Sequence, residues 1–410
     1  MVSESNSKSS QSLIFLLLFN FFAVKSCESL NIQAGVKWPN GVVPYKLHNS
    51  LTLKDMSEFK KAIDEYHSKT CIKFQPWKEG DVDFVSIEID NNVTCGSSST
   101  QSCKIGGYQY ARFNGNENCR KSQIILQSLG LTLCLGYEQK RNDRDDYVTF
   151  KESCDWIPVK NESNRQLGIY DYASKWHQSC NTCKGGWPTT PNVTTCGIQR
   201  PGALSRTDVD GLNELYNCSG CKRHRWRPIE NLTHEDRSNM YNFNYGTLDS
   251  PIYPCRAGIL GSLLVGKYDD LTKHCYISYF GGKLHIIKGS FEVLTIPGGT
   301  NEECSNYKVV YVNPTEPVLT TTMVPGGASV KYNTWKSYIA YANYLNSTNG
   351  YTIGNAWLEK GHGWKFNAEV VVGVDTEAVA IKARHFSVLT CDIDTTCILK
   401  KLLDERRSYK

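Results

Sequence analysis

The chain has 410 residues, of which 17 are cysteine, and its 46 Lys and Arg against 41 Asp and Glu residues leave a formal charge of +5. That length predicts two or three domains, and 40% hydrophobic with 21% charged residues excludes a wholly disordered chain. The even charge balance argues against nucleic acid as a partner.

The first predicted element is a secretory signal peptide over residues 1–26. Residues 13–24 (LIFLLLFNFFAV) form an apolar run shorter than the roughly 20 residues that span a membrane, although a buried core helix is the alternative. Six Asn-x-Ser/Thr acceptor sites fit the same route: Asn92, Asn161, Asn192, Asn217, Asn231 and Asn346. We therefore expect a secreted, extracellular glycoprotein without a transmembrane segment, whose cysteines form disulfides.

Residues 38–218 mix helical and strand patterns, so this region is predicted to be a mixed α and β domain. Thr52 followed by Asp55 predicts the start of a helix, and apolar residues then recur at helical spacing. The other predicted elements are strands at 71–74 and 85–89, a helix at 123–136, a charged run at 138–146 and a loop at 184–191.

A basic connector, KRHRWR at residues 222–227, lies within a predicted linker over residues 219–239. A solvated interdomain linker is expected, with a heparin-like contact or a processing site as alternatives. From residue 240 onward the pattern predicts strands at 275–279, 284–287, 291–296, 308–312 and 369–374. Residues 392–410 are predicted to be a tail with a short helix at 398–406.

The C-terminal part also contains an internal similarity. Residues 252–257 resemble residues 351–356, and residues 290–295 resemble residues 385–390. This similarity predicts that residues 240–391 use one mainly-β unit twice.

The cysteine count divides between the two regions. If Cys27 leaves with the signal peptide, ten cysteines remain up to Cys218 and six from Cys221 onward, so each region can close its own bridges. One group combines cysteines with a histidine at a spacing that also suits structural zinc, although an oxidising compartment favours disulfides. Its members are His177, Cys180, Cys183 and Cys196.

Five separated stretches of residues 38–218 resemble the astacin family of zinc metalloproteases. They are residues 38–45 (WPNGVVPY), 70–74 (TCIKF), 138–148 (EQKRNDRDDYV), 170–174 (YDYAS) and 204–218 (LSRTDVDGLNELYNC). The resemblance implies an α+β, metzincin-like fold, and it implies the disulfides Cys71–Cys218 and Cys95–Cys119. The six other cysteines of this region could pair in 15 ways.

The family's zinc motif HExxHxxGxxH stands directly before the charged run, where this chain reads QSLGLTLCLGY at residues 127–137. Gln127, Leu131 and Tyr137 stand at the positions of the three histidines. Ser128 replaces the glutamate that activates water, and Cys134 replaces the turn glycine.

The stretch at the position of the family's Met-turn, which follows the charged run, also differs from the family at its functional residues. Trp176 stands at the position of the methionine in the family's Met-turn, and Gln178 at that of the tyrosine that assists the reaction. Without the imidazoles the motif has no ligands for zinc, and without the general base it has no group to activate the attacking water. We therefore expect no bound zinc or other cofactor and no catalytic residue.

Residues from about 240 to 391 resemble a tandem of the secreted repeat called DM-nine, which occurs in lectin-like proteins. The stretches that carry this resemblance are residues 252–257 (IYPCRA), 265–267 (VGK), 275–285 (CYISYFGGKLH), 291–294 (FEVL), 324–328 (VPGGA) and 351–356 (YTIGNA). Because some members bind mannose-type sugars, the resemblance implies Lys267 and Asp249 as ligand-binding residues. A purely structural lysine on a β-turn is the alternative.

Together these patterns predict an α+β, metzincin-like N-terminal domain followed by a mainly-β repeat domain. The predicted function is that of a secreted pseudo-metalloprotease that recognises a glycan or an extracellular protein. Two alternatives stay open: a metalloendopeptidase of the astacin type with atypical ligands, and a decoy or inhibitor of active astacin relatives.

Overall fold

A computed structural model of the protein describes residues 31–32, 35–93, 95, 97–98, 103–161, 165–166, 168–189, 193, 196, 203–243, 251–260, 262–279, 282–302, 304–312, 322–329, 334–343, 351–360, 364–372, 378–383, 386–393 and 397. The predicted signal peptide, Asp249, Asn192, Asn346 and the helix predicted at 398–406 lie outside these residues. No helix in the described part of the chain is long and apolar enough to cross a membrane.

The N-terminal region combines three helices with short strands. The helices are α1 (Leu53–Lys69), α2 (Ser122–Thr132) and α3 (Arg206–Leu215). The strands are β1 (Asn31–Ile32), β2 (Val42–Leu47), β3 (Lys73–Pro76), β4 (Phe84–Ile89), β5 (Ser97–Ser98), β6 (Tyr108–Phe113), β7 (Val148–Thr149), β8 (Arg165–Gln166) and β9 (Trp187–Pro188).

Helix α1 begins where the sequence predicts. The Thr52 hydroxyl accepts a hydrogen bond from the Asp55 amide, and the Asp55 carboxylate accepts one from the Thr52 amide, which forms a capping box. Phe59, Ile63 and Tyr66 then form the buried face of the helix. The prediction of a helix start at Thr52 is confirmed.

The central sheet of this region has five strands in the order β3-β2-β4-β6-β5, of which only β5 is antiparallel to its neighbour. Residues of α1, α2 and the sheet share one apolar core, which includes Tyr66, Val85 and Leu129. Trp38, also in this core, donates its indole N–H to the Thr132 carbonyl at 2.9 Å. That bond attaches the start of the region to the end of α2.

Helix α2 ends four residues earlier than the sequence predicts. The helix stops at Thr132, and Cys134 has a left-handed backbone with φ of +74°. A residue in that conformation cannot continue a right-handed helix. The prediction that the helix reaches residue 136 is therefore wrong, while the turn that the family builds with glycine is present.

Five disulfides lie within the N-terminal region. Cys71 is joined to Cys218 and Cys95 to Cys119, which are the pairs that the resemblance implies. The other three are Cys103–Cys134, Cys154–Cys183 and Cys180–Cys196. The first bridge spans 147 residues of sequence. In the chain-entropy model, closing a loop of that size stabilises the fold by about 4–5 kcal/mol.

The basic connector is buried, which corrects the expectation of a solvated linker. Arg223, His224 and Arg225 are each at most 6% exposed. Residues Arg225–Pro228 form strand β10, which pairs with β15 (Glu292–Thr295) of the C-terminal sheet. Backbone carbonyls accept the hydrogen bonds of the Arg225 guanidinium, which allows this charge to be buried. A short helix, α4 (His234–Ser238), follows.

The C-terminal region is a curled antiparallel sheet. Besides β15, its strands are β11 (Tyr253–Ile259), β12 (Ser262–Asp269), β13 (His274–Tyr279), β14 (Lys283–Ile287), β16 (Asn301–Glu302), β17 (Ser305–Val312), β18 (Pro325–Ser329), β19 (Thr334–Asn343), β20 (Tyr351–Lys360), β21 (Trp364–Val372), β22 (Val379–Ala383) and β23 (Phe386–Ile393). Strands predicted at 275–279, 284–287, 291–296, 308–312 and 369–374 overlap β13, β14, β15, β17 and β21.

Two five-strand units repeat within this sheet, each with its last strand beside its first. The first unit has the order β15-β11-β12-β13-β14 and the second β23-β19-β20-β21-β22. Val293 lies opposite Cys255, and Val388 lies opposite Ala340. Residues 290–295 and 385–390 therefore correspond, but residues 252–257 correspond to β19. The sequence-based match to residues 351–356 is wrong by one strand.

Three disulfides lie within the C-terminal region: Cys221–Cys391, Cys255–Cys275 and Cys304–Cys397. The described cysteines thus pair within their own regions, in agreement with the even counts on either side of Cys218 and Cys221.

Candidate functional site

Helix α2 and the turn after it carry the residues that stand at the zinc-motif positions. Gln127, Ser128 and Leu131 lie on α2, and Tyr137 follows the left-handed turn at Cys134. Ser128 and Leu131 are both 6% exposed, and Leu131 belongs to the core of the N-terminal region. The four residues that the sequence assigns to the zinc motif thus lie on one helix and just after the turn that follows it.

The groups around Gln127 bond to one another. The side-chain amide of Gln127 donates to the Lys175 carbonyl at 2.7 Å, and the Trp176 indole N–H donates to the Gln127 carbonyl at 3.1 Å. Trp176 is fully buried against Gly130, where a Cβ would lie only 1.8 Å from Cζ2 of the indole. The large ring at residue 176 and the glycine at residue 130 are therefore mutually dependent.

Tyr137 and Gln178 also take part in packing. Tyr137 packs against the core of the N-terminal region, and burial raises the pKa of its phenol. A raised pKa disfavours the phenolate, the form in which tyrosine would bind a metal. The backbone amide of Gln178 donates to the buried Gln139 side chain at 3.2 Å.

His177 is held by neighbouring polar groups. The Gln139 amide lies 2.8 Å from His177 Nδ1, and the Tyr170 hydroxyl lies 2.8 Å from His177 Nε2. Among the described residues, the ligating atoms of His177, Cys180 and Cys196 form the one group of at least three His, Cys, Asp or Glu side chains within 4.8 Å of one another. Because Cys180 and Cys196 are joined by a disulfide, their sulfurs are not thiolates.

The donor set at the motif positions does not fit zinc. Leu131 has no lone pair, the Gln127 amide is used in a hydrogen bond, and Tyr137 is neutral. Structural and catalytic zinc sites use imidazole, thiolate or carboxylate ligands. The residues present at these positions provide none of the three.

Two buried carboxyl groups, those of Glu138 and Asp208, bond to residues 171–175. Glu138 is fully buried, and its Oε2 accepts from the Asp171 amide at 3.2 Å. Burial raises its pKa well above the usual range, although Arg141 opposes the shift. Burial likewise raises the pKa of Asp208 to about 6, and the nearby Asp171 carboxylate adds to the effect. The Asp208 carboxylate accepts from Ser174 and caps α3.

Lys267 lies on β12 of the C-terminal region, far in sequence from the zinc-motif positions. It is half-buried, pairs with Tyr276 across the sheet, and burial lowers its pKa. Asp249, the acidic residue expected beside it, lies outside the described residues. Of the predicted glycan acceptor sites that the structure describes, Asn92, Asn161 and Asn217 are exposed, whereas Asn231 is half-buried.

A charge cluster at the boundary of the two regions was not anticipated from the sequence. Arg256 of β11 contacts Asp210 of α3 at 2.7 Å and Glu292 of β15 at 2.6 Å. Burial alone would raise the pKa of Asp210, but Arg206 and Arg256 outweigh it and hold that pKa below its ordinary value. The available signal was a charged residue inside each of two apolar strand segments, at residues 252–257 and 290–295.

Residues 31–217 match the sequence model of the peptidase family described as Astacin. Embryonic protein UVS.2 of Xenopus laevis is 33% identical over 233 residues, which cover 53% of this chain and 40% of that relative. Zinc metalloproteinase nas-13 of Caenorhabditis elegans is 30% identical over 211 residues, which cover 49% of this chain and 45% of that relative.

Among solved structures, high choriolytic enzyme 1, a hatching enzyme zinc-protease from Oryzias latipes (medaka fish), is 28% identical. The alignment has a TM-score of 0.38 and covers 45% of this chain and 94% of that one. The chain spans less than half the length of the two curated relatives. Residues 31–217 form an astacin-like domain with an α+β fold, and a mainly-β region with a curled antiparallel sheet follows it.

Proposed function

With an astacin domain at residues 31–217 as the premise, we propose that this chain is a secreted, catalytically inactive astacin-like protein that acts by binding a glycan or an extracellular protein. The observation that supports this most is the packing at the zinc-motif positions. Leu131 lies in the core, and the Gln127 amide is bonded to the Lys175 carbonyl.

Loss of the general base supports the same proposal. A zinc protease needs a carboxylate that takes a proton from the attacking water. Ser128, which stands at that position, is 6% exposed and has a hydroxyl that stays protonated near neutral pH. Both the metal and the base would have to be supplied by other residues.

The alternative of an atypical metalloendopeptidase needs such residues. The group His177, Cys180 and Cys196 is the described candidate, and two of its three ligands are consumed by a disulfide. A decoy that binds substrates or partners of active relatives differs from a glycan binder only in its ligand. Retention of secreted proteins by the purified chain, released by neither sugar nor chelator, would favour the decoy.

The extracellular location is supported by eight disulfides. Within the C-terminal region, Lys267 is a candidate for a sugar-binding residue because it is a half-buried cation on a strand. A glycan array with wild type and Lys267→Ala tests that role, and equal binding by both proteins would exclude it.

The inactivity is tested by metal analysis and a casein cleavage assay on the full chain. We expect no stoichiometric zinc and no chelator-sensitive cleavage. The matched control is the quadruple variant Gln127→His, Ser128→Glu, Leu131→His and Tyr137→His, which restores the motif and is expected to take up zinc. Wild-type protein that carries zinc and cleaves casein until a chelator is added would overturn the proposal.

A further inference from the structure

A cavity of about 150 Å³ lies between the astacin domain and the C-terminal sheet. The astacin domain contributes residues between Tyr147 and Thr207, and the sheet contributes residues from the β11–β12 hairpin and Ser290. The zinc-motif positions at residues 127–137 are not among the lining residues. The cavity is thus a separate feature from the altered protease site.

The buried side of the cavity is aromatic. Tyr147 stacks on Tyr170 with ring centroids 4.6 Å apart and an angle of 8° between the planes. Tyr172 meets Tyr170 edge to face at 5.1 Å. Tyr170 and Tyr172 are 6% and 7% exposed, so these rings are held in place by the packing around them.

Polar groups converge on the same space. The Asp171 carboxylate accepts from the Thr207 hydroxyl and, at 2.7 Å, from the Ala173 amide. A carboxylate oxygen has two acceptor positions, so this group can still accept from a ligand hydroxyl. Ser262 and Ser290 line the sheet side of the cavity.

The rim is open at the C-terminal sheet. Gly258 and Ser290 are exposed, whereas Thr207 on the opposite side is buried. A Cβ on Gly258 would meet only Ile169 Cδ1, at 3.8 Å, which is ordinary contact distance. A ligand can therefore enter past Gly258, and a large side chain added there would occupy the opening.

We propose that this cavity binds one pyranose ring of a glycan, an inference that rests on the proposed binding function. A sugar ring has an apolar C–H face that packs on tyrosine and hydroxyls that donate to a carboxylate. A phenylalanine or aliphatic side chain of a protein ligand would instead bury the Asp171 carboxylate without a new hydrogen bond, which is costly. Cavities of about 150 Å³ hold benzene, so this volume admits one six-membered ring, whose hydroxyl groups would extend through the opening past Gly258.

The test is a glycan array probed with the full chain and four variants. Gly258→Trp fills the opening, and Gly258→Ala is its small control. Ser290→Trp blocks the rim from the other side, so the test does not depend on one substitution. Lys267→Ala separates this cavity from the candidate on β12. Thermal unfolding of each variant verifies that it is folded.

We expect Gly258→Trp and Ser290→Trp to weaken glycan binding by about tenfold or more, with the small control Gly258→Ala close to wild type. Unchanged binding by both tryptophan variants would overturn the location. Loss of binding in Lys267→Ala alone would move the site to β12 and also overturn it. A wild-type chain that binds no glycan would overturn the sugar ligand while leaving the proposed inactivity, which the zinc and casein assays decide separately.

Discussion

The buried polar groups around helix α2 are neutral and hydrogen-bonded, whereas those at the boundary between the two regions are charged and form ion pairs. Around α2, neutral groups satisfy one another: the Gln127 amide bonds to a carbonyl, and the Trp176 indole bonds to another. At the boundary, the Arg256 guanidinium lies between the carboxylates of Asp210 and Glu292, with side-chain exposures of 2%, 11% and 1%.

This difference predicts different tolerance to substitution. A lost neutral hydrogen bond costs about 1 kcal/mol, whereas an ion left without its partner in the interior costs several times more. The surroundings of α2 are therefore expected to tolerate single changes that the boundary does not. Four predictions test that contrast.

The largest effect is expected for Arg256→Met. This change leaves Glu292 buried without its guanidinium partner, so the free energy of unfolding should fall by about 3–5 kcal/mol in urea denaturation. The matched control is Lys54→Met, which breaks the exposed Lys54–Glu117 pair and should change stability by less than about 1 kcal/mol. Equal effects from the two substitutions would contradict the contrast.

The contacts of Arg256 also show what the sequence could and could not predict. The capping box of Thr52 and Asp55 closes within three residues, so the sequence reveals it. Arg256 and Asp210 lie 46 residues apart, and only the fold brings them together. The basic connector has the composition of a solvated linker, yet nearby carbonyl groups bind Arg225 in the interior.

The same difference between local features and long-range contacts decides what could be predicted of the internal repeat and of the candidate site. Residues 290–295 and 385–390 correspond because both contain the strand that closes a unit, whereas the partner of 252–257 depends on strand pairing and was assigned wrongly. The lack of an HExxH pattern is readable from residues 127–137 alone. The packing of Trp176 on Gly130 and the cavity beside Tyr172 cannot be predicted from the sequence, because each brings together residues that are far apart in the chain.

The second prediction concerns pH. The pKa of Asp208 is about 6 in the folded chain, above its ordinary value of 3.8, so the folded state binds the proton more tightly than the unfolded state. Stability from this group is then fully present below about pH 4 and is lost as the pH rises through 6. The loss between about pH 4 and pH 7 amounts to at most roughly 3 kcal/mol.

This dependence can be measured by urea denaturation across that pH range. Asp208→Asn should make the decline shallower, because one titrating group is removed, while buried Glu138, whose pKa is also raised, still acts in the same direction. The carboxylate of Asp55 does not interfere, since its bonds with Arg120 and Thr52 outweigh burial and keep its pKa below the ordinary value. A wild-type stability that rises steadily from pH 4 to pH 7 would refute the role of Asp208.

The third prediction is that Gly130→Ala destabilises the astacin domain by about 1–3 kcal/mol, because the new Cβ would overlap the Trp176 ring. The same substitution in a Trp176→Met background should cost less, which a double-mutant cycle measures. Gly258→Ala is the control, since its Cβ has space. Additive costs at residues 130 and 176 would show that the two positions are independent.

The smallest effect is expected at the first motif position. Gln127→Leu removes the hydrogen bond to the Lys175 carbonyl, so the free energy of unfolding should fall by about 1 kcal/mol in urea denaturation. Gln127→His should cost a similar amount and take up no zinc, because Leu131 and Tyr137 still provide no ligand pair. Zinc uptake by Gln127→His alone would mean that other side chains already complete a metal site. A loss as large as that in Arg256→Met would mean that the two regions do not differ in their tolerance.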